Sequence, residues 1–280
     1  MNAINHSQLK KIVQSALKED LGKLGDITSK NVLLKNDKAI FHFVSREKGI
    51  LCGIDVSKKV YEVINDKIKF TKLKKDGEAI HKKEILARIE GPAIDLLAGE
   101  RTALNFLTHL SGISTSTSRM VKLISKTQSK ILCTRKTTPN LRFLEKYAIL
   151  KGGGYNHRFG LYDAILIKDN HIAISGSISK ALKRVKKIKN KTKIEIEVDN
   201  LNQFKEALEH SPDVVMLDNF KIKDLKKAVK INLNGVKLEA SGGVNSNNIL
   251  KIAETGVDYI SSGWLTHSSP SLDIGLDLIR

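Results

Sequence analysis

The chain has 280 residues, 41% of them hydrophobic, and a formal net charge of +18. That length leaves room for two domains and a sizeable core, and no run of about 18 apolar residues is present, which excludes a transmembrane helix. The basic excess is mostly lysine, scattered without interleaved aromatics or a nucleic-acid module signature, so a solvated surface is expected and no nucleic-acid partner.

The N-terminus lacks a charged-then-apolar signal pattern, so a cytoplasmic protein is expected, with no membrane partner. Ser7 to Leu21 puts Leu9, Ile12, Val13, Ala16 and Leu17 on one helix face, with Ser7 as cap and Gly22 as stop. Gly25 to Ser29 reads as a turn. Four β-like segments follow, at Ala39–Ser45, Gly49–Cys52, Ile68–Leu73 and Ile85–Ile89. A helix is expected over Asp55–Ile64, and Asp76-Gly77 and Gly91-Pro92 are turn signals. Alone, this half says only that an α+β module is present. Cys52, and Cys133 further on, sit in apolar runs and read as reduced core thiols.

From Asp95 a long helical pattern carries Leu96, Leu97, Leu104, Leu107 and Leu110. It displays Arg101, which periodicity alone reads as a surface arginine paired with a neighbouring acid.

The most informative stretch runs from Lys130 to His171. Ile131 to Cys133 is a buried strand ending in Thr134-Arg135-Lys136. Thr138 then Pro139 reads as a cap followed by the first helical residue. Leu141, Leu144 and Ala148 follow at helical spacing, and Gly152 ends the helix. Three glycines and Asn156-His157-Arg158 come next. A second buried strand, Ala164 to Ile167, runs into Lys168. Desolvated charge without a partner is costly, so these cations imply an anion between them. In simple barrel geometry His157 and Arg158 precede their strand and fall at the opposite end. They join the others only if the glycine loop folds back or an extra strand intervenes.

After this stretch β and α patterns alternate. Strands are expected at Lys193–Val198, Asp213–Leu217, Val236–Ala240 and Asp258–Ser261. Helices are expected at Gln203–Leu208, Ile222–Val229 and Asn248–Glu254. Six strands in βα units imply a parallel sheet, and polar residues at successive strand ends favour an incomplete TIM-like barrel with its site at that face. Arg135 and Arg158 suit planar carboxylates, whereas Lys136 and Lys168 are point charges suited to phosphate. Glu197 and Asp218 could hold sugar hydroxyls or Mg²⁺, or Glu197 could simply pair with Lys168. Glycine-rich turns at Ser241-Gly242-Gly243 and Ser262-Gly263 suit a phosphate. His157 reads equally as a ligand or as a structural hydrogen-bonder.

The run TRKTTPNLRFLEKYA, GGGYNHR and GLYDAILIKDNHI resembles the quinolinate phosphoribosyltransferase family, and the likeness extends from Glu19 to the C-terminus. The resemblance implies transfer of phosphoribose from phosphoribosyl pyrophosphate to quinolinate with decarboxylation. The products are nicotinate mononucleotide, pyrophosphate and CO₂, in de novo NAD synthesis with Mg²⁺. It implies an N-terminal antiparallel α+β sandwich domain over residues 1–112 and an α/β-barrel domain over 113–280, the chain terminus packing back on the former. It implies a homodimer with shared sites, or a hexamer. Arg101 of a partner, Arg135, Lys136, His157 and Arg158 would form the dicarboxylate pocket. Lys168 would face the pyrophosphate side, and Thr134 would also contact substrate. Glu197 and Asp218 would contact the ribose and the metal-bound diphosphate. Ser241, Gly242, Gly243, Ser262 and Gly263 would hold the 5′-phosphate. Lys136, Lys168, Glu197 and Asp218 would carry catalysis. Trp264 stands beside the phosphate turn where the family usually has a small residue, and Tyr155 also departs from the pattern. A related enzyme acting on another acid is the nearest competitor, and the arginine set argues for a dicarboxylate instead.

Overall fold

The computed structural model describes residues 5–187, 192–233 and 235–279. The elements run α1 (His6–Leu21), α2 (Ile27–Val32), β1 (Lys38–Ser45), β2 (Gly49–Ile50), α3 (Ile54–Ile64), β3 (Lys69–Lys72), β4 (Ala79–Ile80), β5 (Ile85–Pro92) and α4 (Ala93–Leu123). Then come β6 (Lys130–Leu132), α5 (Arg142–Lys151), β7 (Ile165–Ile167), α6 (Asp169–Ser175), α7 (Ile178–Lys186), β8 (Ile194–Val198), α8 (Leu201–Leu208) and β9 (Val214–Asp218). The chain finishes with α9 (Ile222–Ile231), β10 (Lys237–Ser241), α10 (Ile249–Ala253), β11 (Tyr259–Ser261), α11 (Trp264–His267) and β12 (Ile274–Leu278). No described helix is long and apolar enough to cross a membrane.

The chain divides into two units. The first holds the described residues up to Ser118, Pro139–Gly153, and those from Ser269 onward. Its sheet has the order β12-β1-β5-β3, antiparallel throughout. Phe43 of β1 is fully buried and meets Tyr61 of α3 edge-on at 6.2 Å and Phe70 of β3 at 5.8 Å. Leu9, Val13 and Leu17 form the buried stripe of α1. Each such side chain contributes about 1.5–3 kcal/mol when removed from water.

Local chemistry corrects several expected boundaries. Asn5, not Ser7, caps α1, its side chain accepting from Gln8 N. Gly25 to Ser29 is more than a turn, because Asp26 accepts from Ser29 N and starts α2. Gly91 and Pro92 finish β5 rather than interrupt it, with Pro92 opposite Lys38 on the last rung. Pro139 does not open α5: Asn140 adopts φ 66°, which no helix accommodates, and the helix starts at Arg142. Strand β12 was not anticipated. Its five residues pair with β1, and Arg46 Nη1 donates to Asp277 Oδ2 at 2.9 Å.

The second unit holds Arg119–Thr138 and Gly154–Ser268. Its six strands lie parallel in the order β6-β11-β10-β9-β8-β7. This is an incomplete TIM-like barrel, six βα strands rather than eight. Strands buried on both faces read as continuous apolar runs. Accordingly Ile196, Val198, Val215, Leu217 and Ile260 are wholly buried. A short segment at Tyr155 adds a seventh rung: Tyr155 bridges Leu132 in parallel, Tyr155 N donates to Ile131 O at 2.8 Å, and Cys133 N donates to Tyr155 O at 3.0 Å.

Candidate active site

The carboxyl ends of the parallel strands surround a cavity of about 660 Å³, within the usual range for a small-molecule site. Thr134, Arg135 and Lys136 enter from the end of β6, and Lys168 from the end of β7. Glu197 enters from β8, Asp218 from β9, and Ser241, Gly242 and Gly243 from β10 and its turn. Gly263 and Trp264 follow β11. His157 and Arg158 also line the cavity, because the Tyr155 segment runs parallel to β6 and delivers them to the same end.

Two residues of the expected set stand elsewhere. Ser262 is buried and not in the lining: its hydroxyl donates to Val244 O at 2.8 Å and its N–H to Leu132 O at 3.1 Å. It tightens the turn after β11. Arg101 lies on α4 in the first unit and is exposed.

The cavity wall is electrically divided. Arg158 is pulled below the usual guanidinium range by burial and then by the adjacent charge of Arg135, with Glu195 and Asp163 opposing. Two neighbouring guanidiniums suit an anionic ligand, since bidentate carboxylate pairing offsets their repulsion. Across the cavity Lys168 Nζ contacts Glu197 Oε2, and Asn219 Nδ2 donates to Asp218 Oδ2 at 2.6 Å. Lys136 is exposed and lines the cavity, and its carbonyl accepts from Thr266 Oγ1 at 2.6 Å, which fixes the backbone beyond the strand end.

Gly242 shows why this turn needs glycine. Its φ is +96°, and a Cβ there would fall 2.1 Å from Asn219 Oδ1. The bare backbone lets Asn219 approach and leaves the turn open to a phosphate.

Beneath this ring lies a group the sequence reading did not assign. His157 Nε2 is 2.9 Å from Glu195 Oε2 and 3.7 Å from Glu239 Oε2. Burial, and then Glu195, hold the Glu239 carboxyl well above the usual range. The three residues bring ligand atoms within 4.8 Å of one another, a donor set that could hold a divalent ion. Strand alternation puts Glu195 on the same face as Glu197, and that was the available signal. Asn245, Ser261 and His267 also line the cavity and were missed. Asn245 follows a turn, Ser261 ends a short strand and His267 ends a four-residue helix, where periodicity says nothing about direction.

A cavity at the carboxyl ends of parallel barrel strands, with cations facing carboxylates beside a glycine turn, defines an enzyme for anionic, phosphorylated substrates. Two family models match the chain: the quinolinate phosphoribosyl transferase C-terminal domain over residues 113–277 and the N-terminal domain over residues 26–111. A probable nicotinate-nucleotide pyrophosphorylase [carboxylating] of Bacillus subtilis is 43% identical over 276 residues, covering 98% of this chain and 95% of the relative. One of Methanocaldococcus jannaschii is 44% identical, covering 96% and 97%. The structure of the nicotinate-nucleotide pyrophosphorylase from Francisella tularensis superposes with a TM-score of 0.95 at 39% identity, covering 99% of this chain and 98% of that one. The chain belongs to the quinolinate phosphoribosyltransferase family.

Proposed function

We propose that this cavity transfers phosphoribose from phosphoribosyl pyrophosphate to quinolinate, releasing pyrophosphate and CO₂ and leaving nicotinate mononucleotide. One observation carries the reading: Arg135, Lys136, Arg158 and Lys168 line the same cavity as Glu197 and Asp218. A dicarboxylate and a diphosphate both need cations, and a ribose that becomes cationic needs carboxylates. The likeness to both family domains, over residues 26–111 and 113–277, adds support.

Quinolinate binds against Arg135 and Arg158, with Lys136 and Thr134 completing the pocket and His157 standing behind Arg158. Arg101 is supplied by a neighbouring copy in a homodimer, since it lies on no barrel strand. The 5′-phosphate sits on the turn of Ser241, Gly242 and Gly243 beside Gly263 and Trp264, with Ser262 shaping the second turn from behind.

As pyrophosphate departs, positive charge builds on the ribose C1. Glu197 and Asp218 stabilise that charge, while Lys136 and Lys168 offset the charge of the leaving group. The pyridine nitrogen then attacks C1. The positive pyridinium nitrogen stabilises the electron pair left on ring carbon C2 when the 2-carboxylate departs as CO₂, and a proton from solvent at C2 completes nicotinate mononucleotide.

Mg²⁺ takes oxygen ligands, commonly one or two carboxylates together with substrate phosphates. Glu197 and Asp218 fit that description, at the ends of adjacent strands β8 and β9. The buried group containing His157 fits it less well, because it includes a nitrogen donor. When bound, the ion adds positive charge beside the leaving diphosphate. Cys52 and Cys133 are both buried and form no disulfide, in keeping with a reducing, cytoplasmic setting.

The test is direct. Purified protein is incubated with quinolinate, phosphoribosyl pyrophosphate and Mg²⁺, and the products are analysed by mass spectrometry. Nicotinate mononucleotide and pyrophosphate in equal amounts support the reading, and intact substrates reject it.

A further inference from the structure

We infer that Glu195 and His157 form a positioning pair for Arg158, with His157 held as the neutral imidazole that carries its proton on Nε2. The inference deepens the proposed reaction and rests on it for its kinetic part. Its structural part stands on geometry.

His157 Nδ1 accepts a hydrogen bond from the backbone N–H of Arg158 at 2.8 Å. A nitrogen that accepts carries no proton, and a neutral imidazole then carries it on the other nitrogen. That nitrogen, Nε2, lies 2.9 Å from Glu195 Oε2 and 3.7 Å from Glu239 Oε2. Both ring nitrogens therefore face the protein, and neither is offered to a substrate carboxylate. Metal ligation at Nε2 needs that nitrogen bare. The proton would move to Nδ1 and oppose the N–H of Arg158. An imidazolium meets the same obstacle. The histidine and two glutamates are thus a carboxylate-anchored pin, although their spacing resembles a metal centre.

The purpose of the pin lies in Arg158. Its guanidinium stands beside Arg135, and the two charges repel. Nothing in that repulsion keeps Arg158 at the cavity wall. The loop holds it, together with the attraction of Glu195 and Asp163: Arg158 N is tied to His157, Arg158 Nη1 donates to Ala164 O at 3.2 Å, and Gly160 N donates to Asp163 Oδ1 at 2.9 Å. A neutral ring ties the loop without adding a third positive charge. Two adjacent guanidiniums are then pre-set to receive one dicarboxylate.

The experiment combines spectroscopy with kinetics. In protein labelled with ¹⁵N-histidine, the His157 resonances are identified by their loss in His157→Gln. At neutral pH the expected signature is one bare nitrogen at Nδ1 and one protonated nitrogen at Nε2, unchanged when Zn²⁺ is added. Two protonated nitrogens, or an Nε2 signal displaced by Zn²⁺, would overturn the inference whether or not the enzyme turns over quinolinate. In the kinetics, His157→Ala is expected to raise KM for quinolinate at least about tenfold with kcat changed less than about threefold. His157→Asn, whose carbonyl can replace Nδ1 as acceptor, should bring KM back to within about threefold of wild type, and so should Glu195→Gln. Equal losses in His157→Ala and His157→Asn would mean that a ring nitrogen or its charge serves the substrate. No turnover by wild-type protein would instead reject the proposed reaction and leave the spectroscopic result standing.

Discussion

Tyr155 lies in parallel register with Leu132, and this one bridge determines which end of the barrel receives His157 and Arg158. Tyr155 N donates to Ile131 O at 2.8 Å and Tyr155 O accepts from Cys133 N at 3.0 Å. The backbone therefore runs alongside β6, and the following residues emerge beside Thr134, Arg135 and Lys136. Proline at 155 removes one of these bonds and disfavours the pairing. Tyr155→Pro should raise KM for quinolinate at least about tenfold while KM for phosphoribosyl pyrophosphate stays within about threefold, as initial-rate kinetics can separate. Equal rises for both substrates would mean that the bridge supports the whole barrel.

Asp218 faces the cavity at the end of β9, on the same rung as Ser241. Asp218→Asn preserves shape and removes charge. If the carboxylate stabilises a cationic ribose, kcat should fall at least about tenfold with quinolinate KM nearly unchanged. A kcat within about twofold of wild type would make Asp218 structural.

Gly242→Ala places a methyl group 2.1 Å from Asn219 Oδ1 and forces alanine to φ +96°. Strain of this kind costs about 1–3 kcal/mol. The turn is expected to move, and KM for phosphoribosyl pyrophosphate to rise at least about tenfold, with the larger effect on that substrate rather than on quinolinate. A thermal melt run alongside separates local strain from global unfolding.

The barrel was legible in the sequence because its strands are short apolar runs whose polar ends recur. Thr134-Arg135-Lys136, Lys168, Glu197 and Asp218 could be read as one ring for that reason. Features fixed by single backbone conformations were not legible. Asn140 at φ 66° delays α5 to Arg142, although Thr138-Pro139 carries the ordinary start signal. The pairing of β12 with β1 links residues more than two hundred positions apart, and no local pattern encodes it. Ser262 turns its hydroxyl to Val244 O, a direction that residue type does not give. Glu195 and Glu239 were visible as acids in strands, but their approach to His157 depends on the Tyr155 bridge.

Arg101 on α4 offers a test of shared sites. Arg101→Ala and Lys136→Ala should each be nearly inactive. After subunit exchange, mixed dimers hold one barrel with Lys136 intact and an intact Arg101 from the partner. With random exchange, activity should recover to roughly a quarter of wild type, the expectation for a symmetric dimer with shared sites. Mass spectrometry of differently tagged subunits verifies exchange. Verified exchange without recovery would assign Arg101 to its own subunit or to no site.

The dicarboxylate claim is tested most directly by comparing kcat/KM for quinolinate and nicotinate with phosphoribosyl pyrophosphate and Mg²⁺ held constant. Arg135 and Arg158 are adjacent, and a monocarboxylate leaves one of them without an anion. Quinolinate should be preferred by at least about 100-fold, because a site built to bind two carboxylates loses a charge-assisted pair when one is missing. Comparable kcat/KM values for the two acids would contradict the account.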